Sequence, residues 1–215
     1  MTASASVPAW SGAVERLAER LRDRTALRWR PPEGLLPPGR AFTPAAVLVP
    51  LLAPDVVLYT ARRPDLVHHA GQVCFPGGKR DETDEDLVAT ALRETSEELG
   101  LPRGGFELLG PLDAVFTPSG FQIWPHVARW VGAELRASDV TGAASEVAAV
   151  YEAPLSVLAD PSIHSTRTHV HGSFELSSHE FALPELVFEG GRVQPAVRIW
   201  GATGRITRQL VDLAV

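Results

Sequence analysis

The chain has 215 residues, enough for one domain or for one domain with additions, and its formal net charge of −6 and 45% hydrophobic residues are typical of a globular protein. The acidic balance argues against a nucleic-acid-binding surface, and no apolar run approaches the roughly 20 residues of a membrane helix, so we expect neither partner. Cys74 is the only cysteine, which excludes an internal disulfide, and the first residues lack the pattern of a secretion signal. We therefore expect a cytoplasmic protein.

The N-terminal part of the chain divides into a helix and a linker. Apolar residues at helical spacing predict a helix at residues 13–24, and the prolines of residues 30–40 predict a linker. We expect residues 1–40 to pack on one domain formed by residues 41–215. That domain opens with strands predicted at 45–52, 56–60 and 72–75, the last leading into Gly77 and Gly78.

The rest of the chain alternates helices and strands. The strongest helix is predicted from Thr83, as N-cap, to Leu99, with Gly100 as its stop. Strands follow at 106–110, 113–117 and 121–131, then at 147–155 with a short helix, and at 168–176 and 179–189. A closing helix is predicted at 198–215, although two glycines weaken it. The order indicates an α/β fold with a mixed sheet.

A cluster of acidic residues occupies the last turn of the strongest helix. Glu94, Glu97 and Glu98 share an arc of roughly 100°. Like charges at this spacing repel, and the C-terminal end of a helix prefers cations. The cluster is either a solvated acidic face or a site for Mg²⁺, Mn²⁺ or Ca²⁺, which prefer carboxylate oxygens. Gly77 and Gly78 favour an ion that works with a phosphate, because a glycine turn permits close backbone approach.

Residues 78–101, "GKRDETDEDLVATALRETSEELGL", resemble the Nudix box, G-x5-E-x7-R-E-U-x-E-E-x-G-U, where U is a bulky aliphatic residue. Residues 93–101 match its second half, except that Thr95 replaces an aliphatic residue. One extra residue in the loop leaves two candidates for the early acid. Asp84 has the expected distance from Gly78, whereas Glu85 has the expected distance from Arg93.

The stretch "HAGQVCFPGG", from His69 to Gly78, is similar to the coenzyme A pyrophosphatase branch of that family, as are "TPSGFQIWPHV" and "IWGATGRI". The likeness covers residues 45–213. Val67 departs from it, because the branch usually carries an arginine there, although Arg62, Arg63, Lys79 and Arg80 supply cations nearby.

The resemblance implies an α/β/α sandwich and the hydrolysis of a small nucleotide substrate. That substrate would be coenzyme A or acyl-CoA, cleaved to adenosine 3',5'-bisphosphate and 4'-phosphopantetheine or its acyl form. ADP-ribose, NADH or another nucleoside diphosphate derivative is the alternative. A non-catalytic nucleotide sensor is disfavoured, because such a protein is expected to lose glutamates of the box. A homodimer stays open.

The resemblance also assigns roles to individual residues. It implies Mg²⁺ or Mn²⁺ held by Glu94, Glu97 and Glu98, with Arg93 bracing these carboxylates. The general base would be Glu94 or Glu146, although Glu146 is equally interpreted as a surface acid. The residues expected to contact substrate are Arg62, His69, Gly77, Gly78 and Lys79.

Overall fold

The computed structural model describes residues 12–24, 30–31, 33–37, 39–52, 54–65, 71–140, 146–171 and 174–215. Its largest element is an eight-stranded sheet. The strands are β1 (Thr43–Leu52), β2 (Val56–Arg62), β3 (Val73–Cys74), β4 (Gly77–Lys79), β5 (Phe106–Pro111), β6 (Val115–Phe116), β7 (Phe121–Trp130) and β8 (Val147–Pro154). The α-helices are α1 (Ala13–Arg22), α2 (Leu87–Leu99), α3 (Leu155–Leu158) and α4 (Gly201–Ala214).

The main sheet is mixed, as the sequence predicts. Its strand order is β3-β2-β1-β7-β5, with β4 beside β1, β6 beside β7 and β8 beside β2. The long central strands β1 and β7 run parallel over the register Thr43–Phe121 to Leu51–Arg129. The other pairs in this sheet are antiparallel.

Helices cover both faces of this sheet because its central strands are apolar on both sides. Ala46 and Leu48 of β1 belong to the buried cluster that includes α2, whereas Val49 and Leu51 belong to the cluster that includes α1 and α4. This alternation follows from the two-residue period of a strand. The arrangement confirms the predicted α/β/α sandwich. Since α1 packs on β5 and α4, residues before position 41 contribute to the core, and the division at residue 40 stays a prediction.

The C-terminal third adds two smaller sheets. One contains β9 (His164–His171), β10 (Phe174–Leu183) and β13 (Val197–Ile199), and the other contains β11 (Leu186–Val187) and β12 (Val193–Gln194). The prediction of a closing helix from residue 198 is wrong at its start, because Val197–Ile199 pair with β10 before the helix begins at Gly201.

Gly204 lies where α4 packs against β10. A Cβ atom at Gly204 would lie 2.0 Å from the carbonyl oxygen of His179. The glycine that weakens the helix prediction is therefore required by a close contact between backbones. In the described part of the chain, no helix combines the length and apolar character that a membrane crossing requires.

Candidate active site

The Arg93 side chain joins the loop before α2 to the carboxylates near the end of that helix. Its Nε and Nη2 atoms donate to the two carboxylate oxygens of Asp84 over 2.9 and 3.0 Å. Its Nη1 atom donates to Glu94 Oε1 over 2.9 Å, and Nη2 also donates to the carbonyl oxygen of Lys79 over 3.3 Å. Forked hydrogen bonds between opposite charges are among the stronger side-chain interactions. Arg93 therefore fixes Glu94 relative to the loop and to β4.

Asp84 is the acid that this arrangement selects from the two candidates. Its side chain is buried and also accepts from the backbone N–H of Asp81 and from Thr90 Oγ1, each over 2.9 Å. The hydrogen bonds from Arg93 hold the pKa of the Asp84 carboxyl well below its ordinary value. Glu85 is exposed. The extra residue of the loop thus lies between Asp84 and the helix.

The inward turn of Asp84 moves the start of α2. The prediction of Thr83 as N-cap is wrong, because Asp86 occupies that position and accepts from the N–H of Ala89 over 2.7 Å. The Thr83 N–H and hydroxyl instead donate to Asp81 over 2.9 and 2.8 Å, within the loop. The helix therefore begins at Leu87, while its end at Gly100 agrees with the sequence prediction.

Glu98 is a buried carboxylate with an incomplete set of partners. Its residue is 6% exposed, and its Oε2 atom has no hydrogen-bond partner in the described residues. Burial, followed by the negative charge of Glu94, raises the pKa of Glu98 to about 8, although Arg62 and the Gly77 N–H favour its charged form. An unpaired buried oxygen is costly, and a cation would remove that cost.

Both glycines of β4 are required by close contacts. A Cβ atom on Gly78 would lie 2.4 Å from Glu94 Cδ, so that any side chain there would displace this carboxylate. Gly77 has a φ of +151°, and a Cβ atom on it would lie 2.3 Å from the carbonyl oxygen of Ala46. The backbone of β4 therefore lies directly against the acidic end of α2.

The other two acids lie at the outside of this group. The Glu97 side chain is 59% exposed, and its Oε2 atom lies 3.3 Å from Arg93 Nη1. Glu146 is exposed just before β8, and its charge adds to the burial that mainly raises the pKa of both Glu94 and Glu98. The structure thus brings Glu146 near the two glutamates, although 48 residues separate it from Glu98 in the sequence.

The carboxylates at the end of α2 are suitable ligands for a hard divalent cation. Glu94 and Glu98 offer oxygen ligands that Mg²⁺ or Mn²⁺ prefers, and the Oε2 atom of Glu98 has no hydrogen-bond partner among the described residues. Glu97 is drawn towards Arg93. Within the described ranges, no group of three or more His, Cys, Asp or Glu side chains is already assembled for a metal ion. The role of the three glutamates as ligands stays a prediction.

The residues expected to contact substrate are distributed over several positions. Arg62 ends β2, its charge lowers the pKa of Glu98, and its Nε atom is buried without a partner in the described part. Lys79 Nζ lies 5.6 Å from the centre of the Phe121 ring, while Gly78, one residue earlier, faces Glu94. His69 and Val67 lie outside the described residues.

Sequence reasoning missed three features of this part of the structure. The contact of the Gly77 N–H with Glu98 depends on how β4 meets α2, and no local signal indicates it. His126 on β7 has a buried Nε2 atom without a partner in the described part of the chain, and burial lowers its pKa. For Asp86 a signal existed, since it directly precedes the first apolar residue of α2.

Comparison with known proteins gives consistent matches. A family model described as NUDIX domain matches residues 41–161. The "Uncharacterized Nudix hydrolase NudL" of Yersinia enterocolitica is 44% identical over 115 residues, covering 52% of this chain and 56% of that protein. The protein of the same name from Yersinia pestis (strain Pestoides F) is 37% identical over 173 residues, covering 78% of each chain. The chain thus spans little more than half the length of the first of these relatives.

Solved structures resemble the chain more distantly. The crystal structure of the MutT protein from Methanosarcina mazei Go1 is 21% identical, covers 56% of this chain and 82% of its own, and has a TM-score of 0.42. That of DR0079 from Deinococcus radiodurans is 16% identical, covers 66% and 79%, and has a TM-score of 0.44.

The two candidate acids of the loop can be separated by mutation. Asp84→Ala leaves the Arg93 guanidinium without its main partner, so we expect the free energy of unfolding to fall by about 3 kcal/mol or more. Glu85→Ala, one position later and exposed, should change it by less than about 0.5 kcal/mol. Urea unfolding followed by circular dichroism measures both. Equal effects of the two substitutions would contradict the assignment of Asp84.

Proposed function

Since this chain belongs to the Nudix family, we propose that it is an enzyme that hydrolyses phosphoric anhydrides with the help of Mg²⁺ or Mn²⁺. We further propose that its substrate is coenzyme A or an acyl-CoA. Cleavage of the diphosphate would yield adenosine 3',5'-bisphosphate and 4'-phosphopantetheine, or the acylated form of the latter. A cytoplasmic location and the pairing of two copies stay predictions.

The hydrolase proposal rests mainly on Glu98. Its buried Oε2 atom has no hydrogen-bond partner in the described residues, and the negative charge of Glu94 lies close to its carboxylate. This local excess of negative charge calls for a cation. Mg²⁺ or Mn²⁺ bound here would offset the charge of the carboxylates and of a diphosphate. Glu94 and Glu98 are the proposed inner ligands, with Glu97 beside them at the exposed rim.

The remaining residues position the reacting groups. Arg93 holds Glu94 through its pairing with Asp84, so we assign it a positioning role rather than contact with substrate. Gly77 and Gly78 allow a phosphate to approach the backbone beside the glutamates. Arg62, whose Nε atom is buried and unpartnered among the described atoms, supplies a cation for an anionic substrate.

Two acids remain candidates for the general base. Burial raises the pKa of Glu94, but its Oε1 atom already accepts a hydrogen bond from Arg93 and its carboxylate is a proposed metal ligand. Glu146 is exposed and lies close enough to affect the pKa of Glu98. We therefore favour Glu146 as the group that takes a proton from the attacking water, and keep Glu94 as the alternative.

The coenzyme A assignment rests on the similarity of residues 69–78 to that branch of the family. The names of the relatives state no substrate. Val67 keeps a second candidate open, because loss of a cation at that position would suit a less anionic substrate. ADP-ribose, NADH or another nucleoside diphosphate derivative is that candidate.

Glu98→Gln tests the role of the buried carboxylate. The substitution keeps the shape of the side chain but removes the charge that a divalent cation needs. We expect turnover to fall by about a hundredfold or more, with an unchanged circular dichroism spectrum. Glu82→Gln, at an exposed acid in the loop before α2, is the matched control and should retain activity. Near-normal turnover in Glu98→Gln would refute the assignment.

A substrate panel tests the finer proposal. Purified protein with Mg²⁺ or Mn²⁺ should hydrolyse coenzyme A or acetyl-CoA with a higher kcat/KM than ADP-ribose or NADH, with products separated by chromatography. If ADP-ribose or NADH is the better substrate, the coenzyme A assignment fails and the hydrolase proposal stands. If no diphosphate in the panel is cleaved, the hydrolase proposal itself fails.

A further inference from the structure

A second feature with a charge imbalance lies away from the glutamates. A cavity of about 320 Å³ lies between α4, β6 and β10. Arg205 and Arg208 of α4, Phe116 of β6 and His179 of β10 line it, and none of the acids of the candidate active site does. The cavity is therefore separate from the acids of the candidate active site.

Arg205 is a partly buried cation without an acidic partner. Its Nη1 atom donates to the carbonyl oxygen of Phe116 over 3.0 Å. All 26 Asp and Glu residues of the chain fall within the described ranges, and none of the ion pairs there includes Arg205. Burial lowers the pKa of Arg205, and no neighbouring acid raises it. A buried guanidinium without a counter-charge is destabilising unless a ligand supplies one.

The acids that do line the cavity are already paired. Asp113 forms an ion pair with Arg24, and its backbone N–H and C=O groups bond to Gln209. Asp212 pairs with Arg208 one helical turn away. Neither acid therefore compensates Arg205.

The positive charges are close to one another. His179 lines the cavity together with Arg205 and Arg208, and its pKa is lowered by burial first and then by neighbouring positive charges that include both guanidinium groups. Arg205 and Arg208 are three residues apart, on one face of α4. Arg30 lines the same cavity and is exposed. The wall thus carries a surplus of positive charge that faces an open space.

We propose that this cavity binds a phosphate monoester, with the Arg205 guanidinium as its main contact and Arg208 beside it. A phosphate monoester carries up to two negative charges and three acceptor oxygens, which match forked guanidinium donors. A carboxylate carries one charge and two oxygens, and so leaves part of the surplus uncompensated. We therefore expect the cavity to bind a phosphate monoester dianion in preference to a carboxylate.

The phosphate can come from two sources. One is a separate phosphorylated molecule. The other, which rests on the proposed function, is the substrate, because coenzyme A carries a ribose phosphate besides its diphosphate. Phe116, whose carbonyl oxygen accepts from Arg205, pairs with Gln122 of β7, and the preceding residue, Phe121, lies under Lys79 of β4. The cavity and the glycines of β4 thus lie at the same end of the sheet.

Binding of inorganic phosphate to the full-length protein, free of divalent metal and at constant ionic strength, tests the site without any need for hydrolysis. Calorimetry and thermal unfolding should detect phosphate, which raises Tm by binding the folded state. Arg205→Met should weaken phosphate binding at least tenfold (about 1.4 kcal/mol) and should not lower Tm in phosphate-free buffer. Arg22→Met, an exposed arginine of α1, is the control and should bind phosphate as the wild type does.

Three outcomes overturn the proposal: no phosphate binding by the wild type, unchanged binding by Arg205→Met, or acetate bound as tightly as phosphate. If Arg205→Met does not fold, Arg208→Gln takes its place, with weaker phosphate binding expected and unchanged binding contradicting the proposal.

The source of the phosphate is tested by comparing the KM values for coenzyme A and for dephospho-coenzyme A, which lacks the ribose phosphate. If the difference between these KM values is lost in Arg205→Met, the cavity binds the substrate's phosphate. If the difference is unchanged, the cavity binds a separate ligand. Failure to hydrolyse either compound refutes the proposed function and leaves the phosphate-binding result intact.

Discussion

The Arg93 guanidinium holds together a site whose other groups repel each other. It pairs with Asp84 in the loop, with Glu94 in the helix and, at longer distance, with Glu97. Arg93, with Arg62 near Glu98, cannot balance four carboxylates, and Glu98 is left with a raised pKa and an unpartnered oxygen within the described structure. Its raised pKa is the response of a protein without metal, in which a proton substitutes for a cation. The proposed need for Mg²⁺ or Mn²⁺ follows from this imbalance.

Rigid elements of the fold hold the charged groups of this site in position. β4 pairs with β1, and α2 packs on the same central strand, so that the glycines and the glutamates meet at fixed positions. The absence of a side chain at Gly78 leaves room for the Glu94 carboxylate, and the backbone of Gly77 reaches Glu98. Groups held by helices and strands keep their geometry better than groups on loops. Glu146 joins them from the start of β8, a different part of the sheet.

The sequence predicts most of the fold because its patterns are local. The apolar run of β1, the alternation in β7, the helical spacing in α2 and the stop at Gly100 indicate a mixed sheet with helices, and the resemblance to the Nudix family implies the sandwich. The errors occur where distant contacts decide. Thr83 is a good N-cap by type, but Asp84 turns inward to Arg93 and moves the helix start to Leu87. The strand Val197–Ile199 similarly forms only because β10 lies beside it.

Some residues of the candidate site can likewise be predicted from the sequence, and others only from the structure. Spacing finds Glu94, Glu97 and Glu98, since one helical turn brings them together. Spacing leaves Asp84 and Glu85 as alternatives, because the extra loop residue gives Asp84 the expected distance from Gly78 and Glu85 the expected distance from Arg93. The structure distinguishes them, since Asp84 is buried and Glu85 is exposed. The environment of Arg205 depends on α4, β6 and β10 at once, so no sequence pattern indicates it.

Binding of Mn²⁺ to the purified protein, measured by calorimetry at pH 7 in buffers of different ionisation enthalpy, tests the central claim most directly. If a proton substitutes for the cation at Glu98, whose pKa is raised to about 8 without metal, Mn²⁺ binding must release about one proton. The account predicts this release in the wild type and its loss, together with weaker Mn²⁺ binding, in Glu98→Gln. Mn²⁺ binding without proton release, or equal release from the variant, would contradict it.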